Sequence, residues 1–555
     1  MILVPSIKRI AARVTAAAMA AVTLMTSVAY ADEPYDGYNY DWWGDPVPSQ
    51  NGYVVDKVIT GADIGVGNLS EPSDMFFSDL GDLYLADSAY KPTSGSDSAK
   101  GRIIATDENF QLKFTVESLD FSGVQDWLDI KNSELNTGAI SQADFNKITN
   151  LSFNGPTGVY VDVDEGESTI YVADNSNDRV VAFTVDEIGT DEYKTSVGKV
   201  KVVYTRPDAS MYDPSVTFNP SKVLVDAAKN VYVCIKSITK GAAVFSKEGD
   251  FNGYFGANRV EATGEVLMNA FWKLIFSREQ AKRMRRSVPV EISNFDIDSD
   301  NFIYTVTESK SADTDILKKL NSAGTNIYTN LGYSDYTFGD ALIKYYRGQT
   351  YSSQITDIDV SADGTINLLD LKTGRVFQYD EDGNLLFILG TTADQIGGFS
   401  MKVSAVETMG KNIYVSDAMK NTVTIFTETE FGGIVHDAVS LYNAGYYAEA
   451  LEPWREVLKR DGNSQMAYIG ISSALYNEGD YAGAMKYAKL AQSRNLYDKA
   501  FEGYRSEWLN KNFTWIILVV VVLIAAAVFF HFRNKKKKKN QPKNLVEMLH
   551  EGEEE

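Results

Sequence analysis

Short runs in which apolar and polar residues alternate dominate the chain from residue 53 to residue 428. Such alternation predicts β-strands that bury one face. The runs are joined by tight polar turns, as in PTGVYVDVDEGESTIYVADNSNDRVVAF at residues 156–183. This pattern predicts antiparallel hairpins.

The hairpin pattern occurs six times. Its second strand begins at Leu83, Ile170, Val231, Ile303, Ile366 and Ile413. Each copy has a strand just upstream, and several have a fourth strand downstream. Four antiparallel strands repeated six times predict a mainly β fold, a six-bladed β-propeller over residues 32–430. The separate strand at residues 53–59 is expected to complete the last blade, which would remove an exposed sheet edge.

Residues 434–511 have the pattern of helices instead. The phrases NAGYYAEAL and NEGDYAGAM place Gly445 and Gly479 34 residues apart, and Ala450 and Ala484 keep the same offset. This period, with Gly, Tyr and Ala at these places, indicates tetratricopeptide-like repeats. Two roles stay open for them, binding a peptide or acting as a rigid spacer.

Both ends of the chain carry an apolar segment. Residues 1–31 have a basic start, an apolar middle and an A-x-A end, which predicts a cleaved secretory signal. Residues 513–532 carry no formal charge and are long enough to span a membrane. The basic residues that begin the tail, residues 533–555, predict a cytoplasmic tail. We therefore expect a single-pass protein of the cell membrane with an extracellular N-terminal domain. The run Lys535–Lys539 is either a stop-transfer signal or a site for anionic lipid.

The charge of the chain narrows its partners. The net charge is −22, of which the signal contributes +3 and the tail +2, so the body between them carries −27. Such a body is repelled by nucleic acid, and DNA or RNA binding is excluded. The single cysteine, Cys234, lies in the strand-like VYVCI and is expected to be a buried structural thiol.

Uneven spacing of the six copies predicts insertions, of which residues 121–152 and 266–287 have helical character. The second insertion concentrates basic and aromatic residues in an acidic protein. It is either a docking surface for a partner or glycan, or an amphipathic helix packed on the propeller. The aromatic segment YDGYNYDWWG, residues 35–44, either stacks on a sugar or packs against the ring. The candidate contact residues are Trp272, Arg283, Arg285, Arg286, Trp42 and Trp43.

No catalytic, cofactor-binding or metal-ligating residue is assigned. The three histidines, His436, His531 and His550, all lie outside the predicted propeller, which argues against histidine-dependent catalysis and typical zinc sites there. The Asp174 cluster lacks the Gly and Glu of an EF-hand loop. A calcium ion at Asp162 and Asp164 and a carboxylate-pair glycosidase stay open as lesser alternatives. The recurring residues Asp87, Asp174, Asp370 and Asp417, together with Asn177 beside Asp174, are interpreted as structural turn residues.

Residues 156–183 resemble the phrase of NHL-repeat propellers, a Pro-led strand followed by Y-V-A-D-x-x-N-x-R-V-x-x-F. The resemblance covers residues 50–428 and is degenerate in the other five copies. More narrowly, the chain looks like membrane-anchored bacterial NHL proteins encoded beside carbohydrate-uptake systems. That resemblance implies a non-catalytic binding or scaffold protein with a transporter component, a glycan or a peptide as partner. The alternative, by similarity to gluconolactonase-like propellers, is a calcium-dependent lactonase or carbohydrate-active enzyme.

Overall fold

The structure is a computed structural model that describes residues 33–41, 45–91, 100–213, 215–257, 291–308, 316–328, 338–340, 344–346, 349–351 and 353–539. It divides into two compact units. One contains the described residues through Ser440 together with Arg460–Ser464, and the other contains Leu441–Lys459 and the residues from Gln465 onward. The first unit is mainly β and the second is helical.

The β unit begins with a short ribbon, β1 (Tyr38–Tyr40) paired with β2 (Pro46–Pro48). Strand β3 (Tyr53–Thr60) and a four-residue helix α1 (Gly61–Ile64) follow. From there the chain builds sheets of consecutive antiparallel strands, as the alternating pattern predicts.

The first two sheets have four strands each. Their strands are β4 (Pro72–Phe77), β5 (Leu83–Asp87), β6 (Arg102–Thr106), β7 (Leu112–Asp120), β8 (Pro156–Asp164), β9 (Glu167–Asp174), β10 (Arg179–Thr184) and β11 (Thr195–Tyr204). The outermost strands β7 and β11 pair in parallel, so the two sheets merge into one of eight strands. The chain between β7 and β8 forms two helices, α2 (Gln125–Thr137) and α3 (Gln142–Ile148).

Four further sheets complete the β unit, apart from a short ribbon of β19 (Lys344–Tyr346) and β20 (Gln349–Tyr351). Their strands are β12 (Pro220–Val225), β13 (Val231–Ile235), β14 (Gly241–Phe245) and β15 (Phe251–Gly256); β16 (Asn294–Ile297), β17 (Ile303–Val306) and β18 (Leu317–Leu320); β21 (Ile355–Val360), β22 (Ile366–Asp370), β23 (Arg375–Tyr379) and β24 (Leu385–Leu389); β25 (Val403–Met409), β26 (Asn412–Asp417) and β27 (Thr422–Glu428). The last of these sheets takes β3 as its fourth strand, with Tyr53 opposite Glu428 and Thr60 opposite Thr422.

The first strand of each sheet lies against the first strand of the next, in the order β4, β8, β12, β16, β21 and β25, and β25 lies against β4. The buried apolar residues form clusters between neighbouring sheets, for example between those that begin at β8 and β12. Sheets stacked around a common centre in this way make the fold propeller-type.

The helices that follow are α4 (Glu430–Asn443), α5 (Tyr447–Arg460), α6 (Gln465–Glu478), α7 (Tyr481–Leu490) and α8 (Arg494–Lys539). Gly445 and Gly479 end α4 and α6 with φ of 81° and 85°, a left-handed conformation that favours glycine. The fully buried Trp454 lies against Gly470, where a Cβ atom would come within 2.2 Å of its indole nitrogen. Packing at this contact therefore requires glycine at 470.

Helix α8 has 46 residues and a length of about 69 Å at 1.5 Å per residue. Among the described residues, its apolar stretch is the one helical segment long and apolar enough to cross a membrane. This helix fits a single-pass membrane anchor.

Candidate functional site

The centre of the β unit is lined by one short phrase that recurs in the first strands. In each sheet a Pro, Ile or Val is followed by Ser or Thr and then by a residue that differs between copies. These third residues are Asp74, Gly158, Lys222, Asn294, Asp357 and Ala405. Two positions further along, the residues are Phe76, Tyr160, Leu224, Asp296, Asp359 and Glu407. Residues two apart on a strand share a face, so both sets point the same way.

The Ser and Thr of this phrase connect neighbouring first strands. The hydroxyl oxygen of Ser73 donates to the carbonyl of Pro156 (2.7 Å), and that of Ser404 donates to the carbonyl of Pro72 (2.6 Å). Five of the six first strands also carry a register shift between the first and the third residue of this phrase, where the strand departs from regular pairing. Such bulges re-aim side chains, here toward the common centre.

Lys222 stands between two aspartates of other sheets. Its ammonium group forms an ion pair with Asp74 and lies 3.3 Å from Oδ1 of Asp357. The other oxygen of each aspartate accepts a backbone N–H from a neighbouring first strand: Val159 donates to Asp74 (2.8 Å) and Val406 donates to Asp357 (2.6 Å). Together with its two N–H donors, this ion-paired triad connects five of the first strands, β4, β8, β12, β21 and β25.

Three more carboxylates lie beyond the triad. Asp296 accepts the backbone N–H of Val360 (2.6 Å), and Asp359 accepts the hydroxyl of Thr408 (2.6 Å). Glu407 lines the same cavity, and no hydrogen-bond donor among the described residues reaches its carboxylate. The equivalent positions of β4 and β8 are aromatic instead. They hold Phe76 and Tyr160, whose ring centroids are 4.5 Å apart.

We call Lys222 and the five carboxylates Asp74, Asp296, Asp357, Asp359 and Glu407 the axial cluster. Burial shifts the pKa values of its members. It raises the pKa of Asp357 to about 7, against the opposing charge of Lys222. Burial alone would lower the pKa of Lys222, but the charges of Asp357 and Asp74 raise it above its usual range. Burial and then the neighbouring carboxylates raise the pKa of Asp296 and Glu407 well above the usual range. Lys222 is therefore charged, while protons are readily held on the carboxylates that lack it as a partner.

The space within the axial cluster is small. The cavity encloses ≈ 30 Å³, enough for about one or two water molecules. Within the described part of the chain, no group of three or more His, Cys, Asp or Glu has the arrangement of a metal site. Of the two residues considered for calcium, Asp162 forms an ion pair with Lys229, with both oxygens within 2.8 Å of the ammonium nitrogen.

The recurring aspartates lie away from the centre, at the end of the second strand of four sheets. Each accepts a backbone N–H from the loop that precedes the first strand of its own sheet, 16 to 20 residues earlier. The donor–acceptor pairs are Ser70 to Asp87 (2.5 Å), Asn154 to Asp174 (2.7 Å), Gln354 to Asp370 (3.0 Å) and Ser400 to Asp417 (2.6 Å). These carboxylates thus reach well beyond the adjacent turn.

We call these four recurring aspartates the rim aspartates. Two of them also form an ion pair with a buried arginine. Arg102 donates to Asp87 (3.0 Å), and Arg179 donates to Asp174 (2.9 Å), with all four side chains 0 to 1% exposed. Asn177 donates to Asp174 as well (2.7 Å). Each arginine also donates to a backbone carbonyl of the loop that precedes its sheet, as Arg179 does to Ser152 (3.3 Å). The ion pair therefore fastens that loop to the sheet.

The helical unit contains a groove of ≈ 110 Å³. Its lining residues are Tyr442, Tyr447, Ser472, Ser473, Tyr476, Asn477, Leu496 and Lys499. The hydroxyls of Tyr442 and Ser473 are 3.2 Å apart, and the Lys499 ammonium lies 4.8 Å from the centroid of the Tyr476 ring. The groove combines aromatic faces, hydroxyls, an amide and one cation, a set suited to holding a polar ligand.

The candidate contact residues Trp42, Trp43, Trp272, Arg283, Arg285 and Arg286 lie outside the described residues. So do the predicted signal at residues 1–31 and the end of the tail from residue 540. The axial residues were missed by sequence reasoning. The signal that could have found them is the third residue of the recurring phrase, which varies between charged, amide and small side chains while its neighbours stay apolar or Ser/Thr.

No protein-family model and no curated protein matches the chain in sequence. Among solved structures, it is similar to a streptogramin B lyase (10% identity, TM-score 0.33, covering 71% of this chain and 87% of the lyase). It is also similar to a PQQ-bound aldose sugar dehydrogenase from Streptomyces coelicolor (11%, 0.37, covering 68% and 99%). A third is the calcium-binding protein regucalcin from Agrobacterium tumefaciens (10%, 0.35, covering 67% and 93%). TM-scores below 0.5 do not establish a shared fold, so the chemistry of this chain rests on its own residues.

Proposed function

We propose that the chain is a non-catalytic binding or scaffold protein, anchored in the cell membrane by α8, with its N-terminal domain extracellular and its tail cytoplasmic. Its β unit is a six-bladed propeller of the NHL type. Six sheets in cyclic contact support that blade number, and the pairing of β3 with β27 supports closure of the ring by the N-terminal strand.

The observation that carries the proposal is that the charged groups of the axial triad are paired with one another inside the β unit. Lys222 pairs with Asp74 and Asp357, and backbone N–H groups of adjacent sheets occupy further carboxylate oxygens. A cavity of ≈ 30 Å³ has no room for an organic substrate. The axial cluster fixes the positions of the sheets relative to one another. Other surfaces of the protein recognise the ligand.

The surface that recognises a partner is the groove of the helical unit. Its helices pack as a tetratricopeptide-like pair, with Ala450 and Ala484 fully buried at equivalent positions. The groove takes a peptide or a glycan through its tyrosines and Lys499. The partner is a component of a carbohydrate-uptake system, an assignment that follows from the resemblance to membrane-anchored NHL proteins.

The test uses the full chain solubilised in detergent, probed against purified components of a carbohydrate-uptake system of the same cell and against a glycan array. We expect capture of one probe by the unsubstituted chain and loss of capture by a Tyr476→Ala, Lys499→Glu double variant. Lys486→Glu, an exposed change on α7, is the matched control and is expected to keep full capture. Equal capture by both variants, or no capture by any, would overturn the proposal.

A second candidate is the calcium-dependent lactonase or carbohydrate-active enzyme. It is favoured by Glu407, whose carboxylate faces the axial cavity without a donor among the described residues. Saturable binding of radioactive calcium, together with lactone hydrolysis that Glu407→Gln abolishes, would establish it. For the scaffold protein we expect neither binding nor turnover.

A further inference from the structure

His436 is the one histidine between the predicted signal and the membrane-spanning segment. It lies on the second turn of α4, with its side chain 17% exposed. Nδ1 of the ring is 2.6 Å from Oε1 of Glu428 on β27, and Nε2 is 2.8 Å from Oε1 of Gln378 on β23. Both ring nitrogens therefore face oxygen atoms, although a neutral imidazole carries only one N–H.

The orientation of the Gln378 amide is dictated by a chain of hydrogen bonds that begins at the axis. Asp359 accepts a backbone N–H from Thr408 (3.2 Å) and the amide N–H of Asn367 (2.9 Å). Donation to Asp359 leaves the Asn367 oxygen facing Gln378, whose amide nitrogen donates to it (3.1 Å). The oxygen of Gln378 must then face His436, because its nitrogen is already committed to Asn367 and to the Tyr53 hydroxyl (2.9 Å).

The partner on the other side is a carboxylate. Glu428 also binds the Lys411 ammonium (2.7 Å). The hydrogen bond from His436 holds the pKa of Glu428 below its usual range, as does Lys411. Gln378 and Glu428 thus present only acceptor oxygens to the ring, and each ring nitrogen needs a proton to bond its neighbour.

We propose that His436 is held as an imidazolium, with a proton on each ring nitrogen, and that the bonded ring is a pH-sensitive latch between helix α4 and two sheets, the one that contains β23 and the one that contains β27. The ring joins α4 to β27 through Glu428 and to β23 through Gln378. Removal of either proton would leave two acceptors facing each other across less than 3 Å. The latch is therefore complete while the ring is charged and is lost as rising pH removes a proton.

The other groups around the ring do not supply a competing charge at neutral pH. Strand β3 contributes Tyr53, whose ring centroid is 6.0 Å from that of His436, and burial raises the pKa of this tyrosine, so it stays neutral. Strand β24 contributes the apolar Phe387 at 5.7 Å. On α4 itself Asp437 acts on Lys411, which is already paired with Glu428. Asp359 and Asp363 face Tyr53 from further along the network.

The test uses the full chain in lipid nanodiscs with His531→Gln and His550→Gln, so that His436 gives the only imidazole signals. Nitrogen-15 spectra at about pH 7.5 are expected to show a bonded hydrogen on both ring nitrogens, where an ordinary histidine is mostly neutral. A single protonated nitrogen at that pH would overturn the proposal. This measurement leaves the site itself unchanged and does not depend on a variant that folds poorly.

Hydrogen exchange provides the second readout. Between about pH 6 and pH 9, amides of residues 431–440 are expected to lose about tenfold or more of their protection beyond the intrinsic pH effect, because hydrogen bonds made by a charged group are stronger than those between neutral groups. Glu428→Gln is expected to remove this pH dependence, since it takes away the charge that pairs with the imidazolium. Glu248→Gln, on a turn of another sheet, is the control and should keep it. Protection independent of pH in the unsubstituted chain would contradict the latch.

Discussion

The β unit uses aspartate at its rim and at its axis, and the two places differ in how the carboxylate is stabilised. At the rim, Asp174 and its three equivalents each bond the loop that precedes their own sheet. At the axis, one equivalent position holds Asp74, Lys222 and Asp357 in different sheets, and the ammonium group of Lys222 pairs with both carboxylates. Each of these four sheets must fix the loop that precedes it, and the same residue type does this in all four copies. A space that several sheets share is filled by different residues that pair with one another.

Removing a rim aspartate that holds arginine gives the largest expected effect. Asp174→Ala leaves Arg179 fully buried without its partner, and we expect a loss of about 3–5 kcal/mol in the free energy of unfolding. The measurement is urea unfolding of the solubilised full chain. Asp186→Ala, which removes an exposed pair with Lys199, is the control and should leave the midpoint unchanged. Similar losses in both would mean that the buried pair has no special role.

Removing the axial cation comes next. Lys222→Met leaves Asp74 and Asp357 uncompensated, and we expect a loss of about 3 kcal/mol at pH 8. The carboxylates have a higher affinity for protons in the folded variant than in the unfolded chain, so stability rises as the pH falls. Asp357, whose pKa is already about 7, takes up a proton first, and the loss should be smaller at pH 5.5. Lys222→Arg keeps the charge and should show little of this pH dependence.

A rim aspartate without arginine should tolerate substitution better. Asp417 accepts its hydrogen bonds from Ser400, Met419 and Lys420, and Asp417→Asn retains one acceptor oxygen. We expect a loss of about 1–2 kcal/mol. Asp174→Asn in the same assay should cost more, because Arg179 loses its counter-charge. Equal losses would show that the loop contact, which both sheets have, accounts for the whole stabilisation.

The smallest effect is a gain. Glu407→Gln removes a carboxylate whose pKa burial raises, so the unsubstituted chain gains stability as the pH falls and loses it as the pH rises. We expect the variant to be more stable by about 1 kcal/mol at pH 8 and unchanged at pH 5. Thermal unfolding at both pH values measures this. Destabilisation at pH 8 would indicate that the charged Glu407 has a partner at the axis.

Several features of the fold could be predicted from local patterns. Alternation and turn residues predicted a mainly β, propeller-type chain with helices toward its C-terminus and one apolar helix, and these are confirmed. The merging of the first two sheets through parallel pairing of β7 with β11 was not anticipated. It joins strands separated by more than 70 residues, and neither strand differs in pattern from an ordinary edge strand.

The candidate site was harder to predict. Asp174 stood out because its phrase is repeated, whereas Lys222 is an ordinary lysine in a strand until Asp74 and Asp357 are known to face it, 148 and 135 residues away. The proposed contacts of Trp272 and Trp42 stay predictions. Their surroundings depend on segments outside the described residues.

The sequence by itself determined where strands, turns and helices form, because these depend on residues within a few positions of one another. It also determined that an apolar helix long enough to cross a membrane lies near the C-terminus. Only the tertiary structure decided which charged residues meet at the axis and which acceptors face His436. Those contacts depend on how sheets that are distant in sequence meet around one centre, and the free energy of a buried charge depends on what lies opposite it.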